Sequence, residues 1–146
     1  MRVIIHQLTN SWEDRFRSNL RYLSPKYTYM AQHNETGEQG EQQASQYLRE
    51  KGYEIMARNY RYQHAEIDLV AKKGKLLVFV EVKTRSNLNY GNPEEFVSYT
   101  KAKLVMKAAE QYIFSHNWAY DIRFDIVAVT IAGTEQRINH IEDAFY

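Results

Sequence analysis

The sequence lacks several features that would place a protein in a class at once. It has no cysteine, which excludes a disulfide framework and a metal site built on thiolates. It has no apolar run near the roughly 18 residues that a membrane-spanning helix needs. Residues 1–10 lack the basic and then apolar pattern of a secretory signal. We therefore expect a cytoplasmic protein without a membrane segment.

The chain also lacks a glycine-rich phosphate loop and a strong excess of charge. With six glycines and no nucleotide-binding motif, a nucleotide-driven motor is excluded. The formal net charge is +1, which excludes a strongly cationic surface. A local basic patch stays open, because residues 58–85 carry seven basic and three acidic residues. The twelve tyrosines fit packing at the rim of a core better than stacking on bases.

The length of 146 residues suits one domain with its own core. Ser24-Pro25 is typical of a break, and a polar stretch follows Met30. We therefore predict a weakly ordered N-terminal extension at 1–29 and a folded domain at 30–146.

Helix and strand signals alternate along this domain. A first helix is predicted over 38–51, from a capping box at Thr36 to a stop at Gly52, and a second from an N-cap at Asn92 to Ser115. The inward face of the second helix is predicted to consist of Val97, Leu104, Val105, Ala108 and Tyr112. Strands are predicted at 53–60, 65–71, 76–83, 123–131 and 138–141. The order α-β-β-β-α-β, with an optional last strand, favours an α/β fold with a central mixed sheet flanked by helices.

Candidate chemistry is concentrated in two neighbouring strands. Glu66 and Asp68 are two residues apart, as are Glu81 and Lys83, so alternation predicts that each pair shares a face of its strand. A hairpin would bring these four side chains to one end of the sheet. Crowded carboxylates repel each other and are stabilised by a divalent cation, for which oxygen ligands favour Mg²⁺ or Mn²⁺. Glu41, on the inward face of the first helix, would supply a further oxygen ligand.

Ordinary ion pairing is the alternative, and from spacing alone it is the more frequent explanation. Glu81 and Lys83 form a same-face pair of small energetic value in many strands. Glu66 and Asp68 have Arg58 and Arg61 as candidate partners.

Several blocks in a fixed order form a more specific pattern than the spacing. They are Gly37-Glu-Gln-Gly-Glu41, Ala57-Arg-Asn-Tyr-Arg61, Glu66-Ile-Asp68-Leu-Val70, Phe79-Val-Glu81-Val-Lys83-Thr-Arg85, Arg123-Phe-Asp125-Ile and Ile138-Asn-His-Ile-Glu-Asp-Ala144-Phe145. Together they resemble the YraN-like family of bacterial proteins, which is grouped with endonucleases of the PD-(D/E)XK type. The resemblance implies a restriction-endonuclease-like core, close to that of archaeal Holliday-junction resolvases. Ala65 is a departure, since the family usually has glycine there.

The resemblance also implies roles for individual residues. Asp68 matches the first motif acid, Glu81 and Lys83 match the second motif, and Glu41 matches a helix carboxylate. Metal ligands are then expected at Asp68, Glu81, Glu41 and Glu66, and nucleic-acid contacts at Lys101, Arg85 and Arg61. For Lys101 a snorkelling side chain on the second helix is an equal alternative.

The resulting hypothesis is a metal-dependent endonuclease that hydrolyses DNA, with branched or structured sites as candidate substrates. One alternative is a nucleic-acid-binding module that keeps the nuclease fold with little or no hydrolysis. A less favoured alternative is a protein-interaction scaffold whose acidic cluster is a remnant. By analogy with the resolvases, which act as dimers, a homodimer is a further expectation.

Two other groups receive no chemical role. Asp125 is predicted to be structural and to pair with Arg123 or with a neighbouring helix. The five histidines are dispersed and show no metal-ligand spacing.

Overall fold

The structure, a computed structural model, describes residues 25–86 and 97–144, with side chains described from residue 35 onward. The chain divides into two compact units, Met1–Glu35 and Thr36–Tyr146. All packing and site geometry below belongs to the second unit. The predicted weak order of residues 1–29 falls mostly outside the described residues, as does the predicted N-cap Asn92.

In the described ranges the chain forms two helices and five strands, which confirms the predicted α/β fold. They are α1 (Pro25–Glu50), β1 (Glu54–Tyr62), β2 (Ala65–Lys73), β3 (Leu76–Arg85), α2 (Tyr99–Ser115), β4 (Asp121–Ala132) and β5 (Glu135–Ile141). The optional last strand is present as β5. No helix within these ranges is long and apolar enough to cross a membrane.

The strands form one mixed sheet in the order β1-β2-β3-β4-β5. All neighbours are antiparallel except β3 and β4, which are parallel and joined through α2, because a parallel pair needs a crossover connection. The β2–β3 hairpin turns at Gly74, whose φ of 59° is readily adopted by glycine. Central placement of β3 explains its apolar run, since both of its faces are covered. This topology matches a restriction-endonuclease-like core.

Each face of the sheet has its own hydrophobic core. One core contains Ala44 and Leu48 of α1, packed on Val78 and Val80 of β3 and on neighbouring strand residues. The opposite core contains the α2 stripe packed on Phe79 and its neighbours. The buried members of that stripe are Val105, Ala108, Ala109 and Tyr112. We refer to these two sides of the sheet as the α1 face and the α2 face.

The predicted start of the first helix was wrong, and the predicted start of the second at Asn92 lies outside the described residues. The first helix begins at Pro25 and runs through Thr36, and proline is well suited to a first helical position. The second helix begins at Tyr99, with the Ser98 side chain accepting a hydrogen bond from the Lys101 amide at 3.2 Å.

Two of the residues predicted for the inward face of the second helix do not lie in its buried stripe. Val97 lies before the helix and is half-buried. Leu104 is 38% exposed, because it falls beside the i, i+3, i+4, i+7 stripe that starts at Val105.

Candidate functional site

The candidate site lies where β2 and β3 diverge. Their pairing ends at Leu69↔Val80, so Asp68 and Glu81 are the first residues beyond the paired region on β2 and on β3. Beyond that point the Asp68 Oδ2 atom accepts a hydrogen bond from the Val82 amide at 2.7 Å. Strand amides point along the sheet, so this carboxylate occupies the gap between the two strands.

The alternation of side chains reverses at Asp68. Ile67 belongs to the core on the α2 face, whereas Leu69 belongs to the core on the α1 face. In a regular strand these two residues would share a face, so regular alternation no longer supports the expectation that Glu66 and Asp68 share one. Because Asp68 sits at the reversal, groups from both faces of the sheet can approach it.

Glu81 approaches from the α2 face with two ammonium groups on the same oxygen. It is 4% exposed, and its Oε1 lies 2.9 Å from Lys83 Nζ and in contact with Lys101 Nζ. The side chains of Lys83 and Lys101 are 21% and 42% exposed. Burying Glu81 requires such partners, and the exposed part of each lysine remains available to a ligand.

Asp68 has less compensation for its negative charge than Glu81, since its oxygen accepts a hydrogen bond from a backbone amide whereas Glu81 pairs with two lysines. The pKa of Asp68 is raised from 3.8 to about 7, first by burial and then by the charges of Glu81 and Glu41, which together outweigh the Val82 hydrogen bond and the charge of Lys101. A carboxylate shifted in this way is more frequent in functional sites than in structural ion pairs.

Glu41 reaches this cluster from the α1 face. It is half-buried on the same side of α1 as Ala44 and Leu48, as predicted. Its Oε2 accepts a hydrogen bond from Asn59 Nδ2 at 3.2 Å. The structure therefore brings together Glu41 from one face and Lys101 from the other, around the Asp68–Glu81 pair.

The structure does not bring every predicted residue into this cluster. Glu66 pairs with Arg61 at 3.0 Å, and both side chains are substantially exposed, which is the ion-pair alternative for these two residues. Glu66 is also absent from the charges that shift the pKa of Asp68 among the described side chains. Arg85 lies half-buried at the end of β3, opposite Thr130 of β4. The assignment of Glu66, Arg61 and Arg85 to ligand or substrate stays a prediction.

The donor set fits a divalent cation that keeps most of its water. Within 25–86 and 97–144, no group of three or more His, Asp or Glu side chains is arranged to hold a metal ion, so the protein offers at most two direct carboxylate ligands here. Mg²⁺ is commonly held by one or two carboxylates, with water and substrate phosphate completing the shell. Asp68 and Glu81 supply that pair, and a cation between them would relieve the repulsion that raises the pKa of Asp68.

A second buried carboxylate lies elsewhere in the sheet and is fully engaged. Asp125 is 0% exposed, and its two oxygens accept hydrogen bonds from the Arg123 guanidinium at 2.8 Å on each side. They also accept from His140 Nε2 at 2.8 Å and from the Asp143 amide at 3.0 Å. The predicted pairing of Asp125 with Arg123 is confirmed, and its structural role stays a prediction.

The sequence assigned no role to Asn59 or Ser45, and it offered Arg58 only as an ion-pair partner of Glu66 or Asp68. Asn59 has a φ of 48° and contacts Glu41, while Arg58 donates to the buried Ser45 Oγ on α1 at 2.6 Å. Asparagine is depleted within strands, so Asn59 inside β1 was a signal of an irregular position. Its partner on α1 could not be identified from that signal.

Comparison with known proteins places this geometry in a family. The model of the uncharacterised protein family UPF0102, the YraN family, matches residues 40–129, which is more than half of the chain. The chain belongs to UPF0102. The matched segment includes Asp68, Glu81, Lys83 and Lys101, so the candidate site lies within the part that defines the family.

Members of UPF0102 from distant bacteria are similar to this chain. A UPF0102 protein of Flavobacterium psychrophilum is 46% identical over 117 residues, covering 80% of this chain and 98% of its own. One of Bacteroides thetaiotaomicron is 47% identical over 117 residues, covering 80% and 97%. One of Rhodococcus opacus is 43% identical over 119 residues, covering 80% and 100%. Their names state the family and no activity.

Proposed function

We propose that this UPF0102 protein is a metal-dependent endonuclease that hydrolyses phosphodiester bonds in DNA. The observation that carries the proposal is the convergence of Asp68 and Glu81 at the β2–β3 divergence, with Lys83 and Lys101 on Glu81. Two acids beside two ammonium groups suit a reaction in which a phosphodiester binds and gains negative charge. A composition without cysteine is compatible with oxygen ligands.

Asp68 and Glu81 would hold the cation, Mg²⁺ or Mn²⁺, with Glu41 as a further oxygen donor. When bound, the cation supplies Lewis-acid chemistry, since it lowers the pKa of a coordinated water and polarises a phosphoryl oxygen. Lys83, 2.9 Å from Glu81 and mostly sheltered from solvent, is placed to stabilise charge on the phosphoryl oxygens. Lys101, the more exposed of the two lysines on the same Glu81 oxygen, is suited to bind a phosphate of the substrate.

A nucleic-acid-binding module is the second candidate, and a specific observation favours it. The Oε1 atom of Glu81 is already in contact with two ammonium groups, and the described residues contain no cage of three acidic or histidine ligands. In a binding module, Lys83 and Lys101 would bind phosphate groups of the nucleic acid without taking part in hydrolysis. Binding to DNA that weakens steeply with salt, without turnover in Mg²⁺ or Mn²⁺, would favour this candidate.

The decisive experiment compares metal binding and cleavage in matched variants. Mg²⁺ and Mn²⁺ are titrated into the full chain by calorimetry, and cleavage is measured on linear, nicked and four-way-junction DNA. We expect Asp68→Asn to lose both binding and cleavage. The control Asp121→Asn makes the same change at an exposed position at the start of β4 and should retain both.

Each outcome separates the candidates. Metal binding and cleavage that are both lost in Asp68→Asn support the endonuclease. Cleavage by Asp68→Asn at the wild-type rate would rule it out. Salt-dependent DNA binding without turnover would leave the binding module, and neither metal nor DNA binding would leave the interaction scaffold. Light scattering of the same samples tests the expected homodimer.

A further inference from the structure

Asn59 has a backbone conformation that is unusual within a strand. Its φ is 48°, in the left-handed region, where asparagine is tolerated much better than most residues. It lies between the paired positions Arg58↔Leu69 and Tyr60↔Ile67, and therefore beside Asp68 on the adjacent strand. The irregularity of β1 thus coincides with the site.

This conformation reverses the faces of β1 at Asn59. Arg58 reaches the α1 face and donates to Ser45 Oγ at 2.6 Å. Tyr60 instead packs on the α2 face, edge to face with Tyr112 at 5.0 Å between ring centres. The Asn59 side chain is directed to α1, where its Nδ2 donates to Glu41 Oε2 at 3.2 Å.

Glu41 needs such a donor in order to stay near the site. It is a half-buried carboxylate on a helix, and its charge is close enough to Asp68 to act on it together with that of Glu81. Like charges repel, so without a donor Glu41 would favour rotamers that point away to solvent. The amide of Asn59 offsets that repulsion with a hydrogen bond to the ionised carboxylate.

We propose that Asn59 is a positioning residue that holds the Glu41 carboxylate toward Asp68, so that Glu41 serves the divalent cation as an oxygen donor through a bound water. The inference rests on the proposed metal site and deepens it. Residues that orient metal ligands by hydrogen bonding typically change metal affinity by about 10–100-fold when they are substituted. Because the Asn59–Glu41 bond is exposed, we expect an effect near the lower end of that range.

The test is calorimetric titration of Mn²⁺ into the full chain, without DNA. Asn59→Gly removes the amide and keeps a residue that adopts positive φ without strain. We expect it to weaken Mn²⁺ binding about tenfold. Asn117→Gly makes the same change at another left-handed asparagine, with a φ of 49° after the end of α2, and should leave the affinity unchanged.

A double-mutant cycle with Glu41→Gln tests whether Asn59 acts through Glu41. Each single variant should weaken Mn²⁺ binding, and Asn59→Gly should add less than about twofold in the Glu41→Gln background, since the residue being positioned has then lost its charge. Asn59→Asp, which keeps the size and tolerates the same φ but repels Glu41, should weaken binding at least as much as Asn59→Gly. It provides a second variant if the glycine protein does not fold.

Several results would overturn the inference. They are wild-type Mn²⁺ affinity in both Asn59 variants, full additivity with Glu41→Gln, and an equal loss in Asn117→Gly. A wild-type protein that binds no Mn²⁺ would overturn it as well. Mn²⁺ binding that depends on Asn59 but is accompanied by no cleavage of any DNA would support the inference and count against the endonuclease instead.

Discussion

Two buried aspartates of the same sheet have opposite surroundings. Burial of Asp125 favours a raised pKa, but hydrogen bonds from His140, Arg123 and the Asp143 amide outweigh it and leave the pKa of Asp125 lower than usual. Burial, followed by the charges of nearby carboxylates, raises the pKa of Asp68 to about 7, because the Val82 amide and the charge of Lys101 oppose them only in part.

The difference separates a structural carboxylate from a candidate ligand-binding one. At Asp125 the protein itself supplies cationic and backbone donors to both oxygens, so a ligand has little to offer. At Asp68 the protein leaves a negative charge that a cation would stabilise. Burial alone therefore does not identify a site, whereas burial with incomplete compensation does.

The largest expected effect is at the compensated carboxylate. Asp125→Ala leaves the Arg123 guanidinium, which is 19% exposed, without its buried partner, and should lower the free energy of unfolding by about 3–5 kcal/mol. Urea unfolding at neutral pH measures it. Asp121→Ala, at an exposed position of the same strand, should change stability by less than about 0.5 kcal/mol. If both variants lost only a similar, small amount of unfolding free energy, Asp125 would not be the structural carboxylate that the comparison with Asp68 assumes.

The next effect concerns the close contact of α1 with the end of β3 beside the site. A Cβ atom at Gly40 would lie 2.8 Å from Thr84 Cβ, so Gly40→Ala should destabilise by about 1–3 kcal/mol. Gly37→Ala on the same helix meets no described atom within 4 Å and should stabilise by up to about 1 kcal/mol. Thermal unfolding compares the two. Equal shifts of the unfolding temperature in the two variants would mean that the packing of α1 does not depend on the close approach of Gly40 to Thr84.

Replacing Asp68 should increase the free energy of unfolding, whereas replacing Asp125 should decrease it. Asp68 titrates near 3.8 when unfolded and near 7 when folded, so metal-free wild type loses stability as the pH rises from about 4 to about 7. Asparagine does not titrate, so Asp68→Asn should be more stable than wild type at pH 8. The gain should be on the order of 1–2 kcal/mol, below what the full shift implies, because coupled carboxylates share the titration.

Urea unfolding at pH 4.5 and pH 8, in the presence of a chelator, checks this prediction. The advantage of Asp68→Asn should shrink toward the lower pH, and added Mn²⁺ should stabilise wild type without stabilising the variant. A variant that is less stable than wild type at pH 8 would show that Asp68, like Asp125, is compensated by the fold.

The smallest effect is expected at Glu66. Its exposed ion pair with Arg61 is worth about 0–1 kcal/mol, so Glu66→Gln should barely change stability. Calorimetry should also give an unchanged Mn²⁺ affinity. A clear loss of affinity would support Glu66 as a ligand and would place the cation nearer the start of β2 than Asp68 and Glu81 indicate.

Much of the fold was predictable because the deciding signals are local. The apolar run before Glu81 predicted a central strand, and the turn at Gly74 predicted the β2–β3 hairpin, both of which the structure contains. The start of the first helix was not predictable, since the cap signal at Thr36 competed with the proline at Pro25. Packing of the whole helix decides between such starts, and each cap contributes only about 1 kcal/mol.

The sequence by itself determined the chemistry available to the protein: oxygen ligands without thiolates, an acidic and lysine pair at Glu81 and Lys83, and a strand that must be covered on both faces. The tertiary structure alone decided how these groups meet. The reversal at Asn59 and Asp68 moves side chains to the opposite face, so Glu41 and Lys101 approach one carboxylate from two sides of the sheet. Alternation along a strand cannot reveal such a reversal, because it depends on pairing and on helices that are distant in sequence.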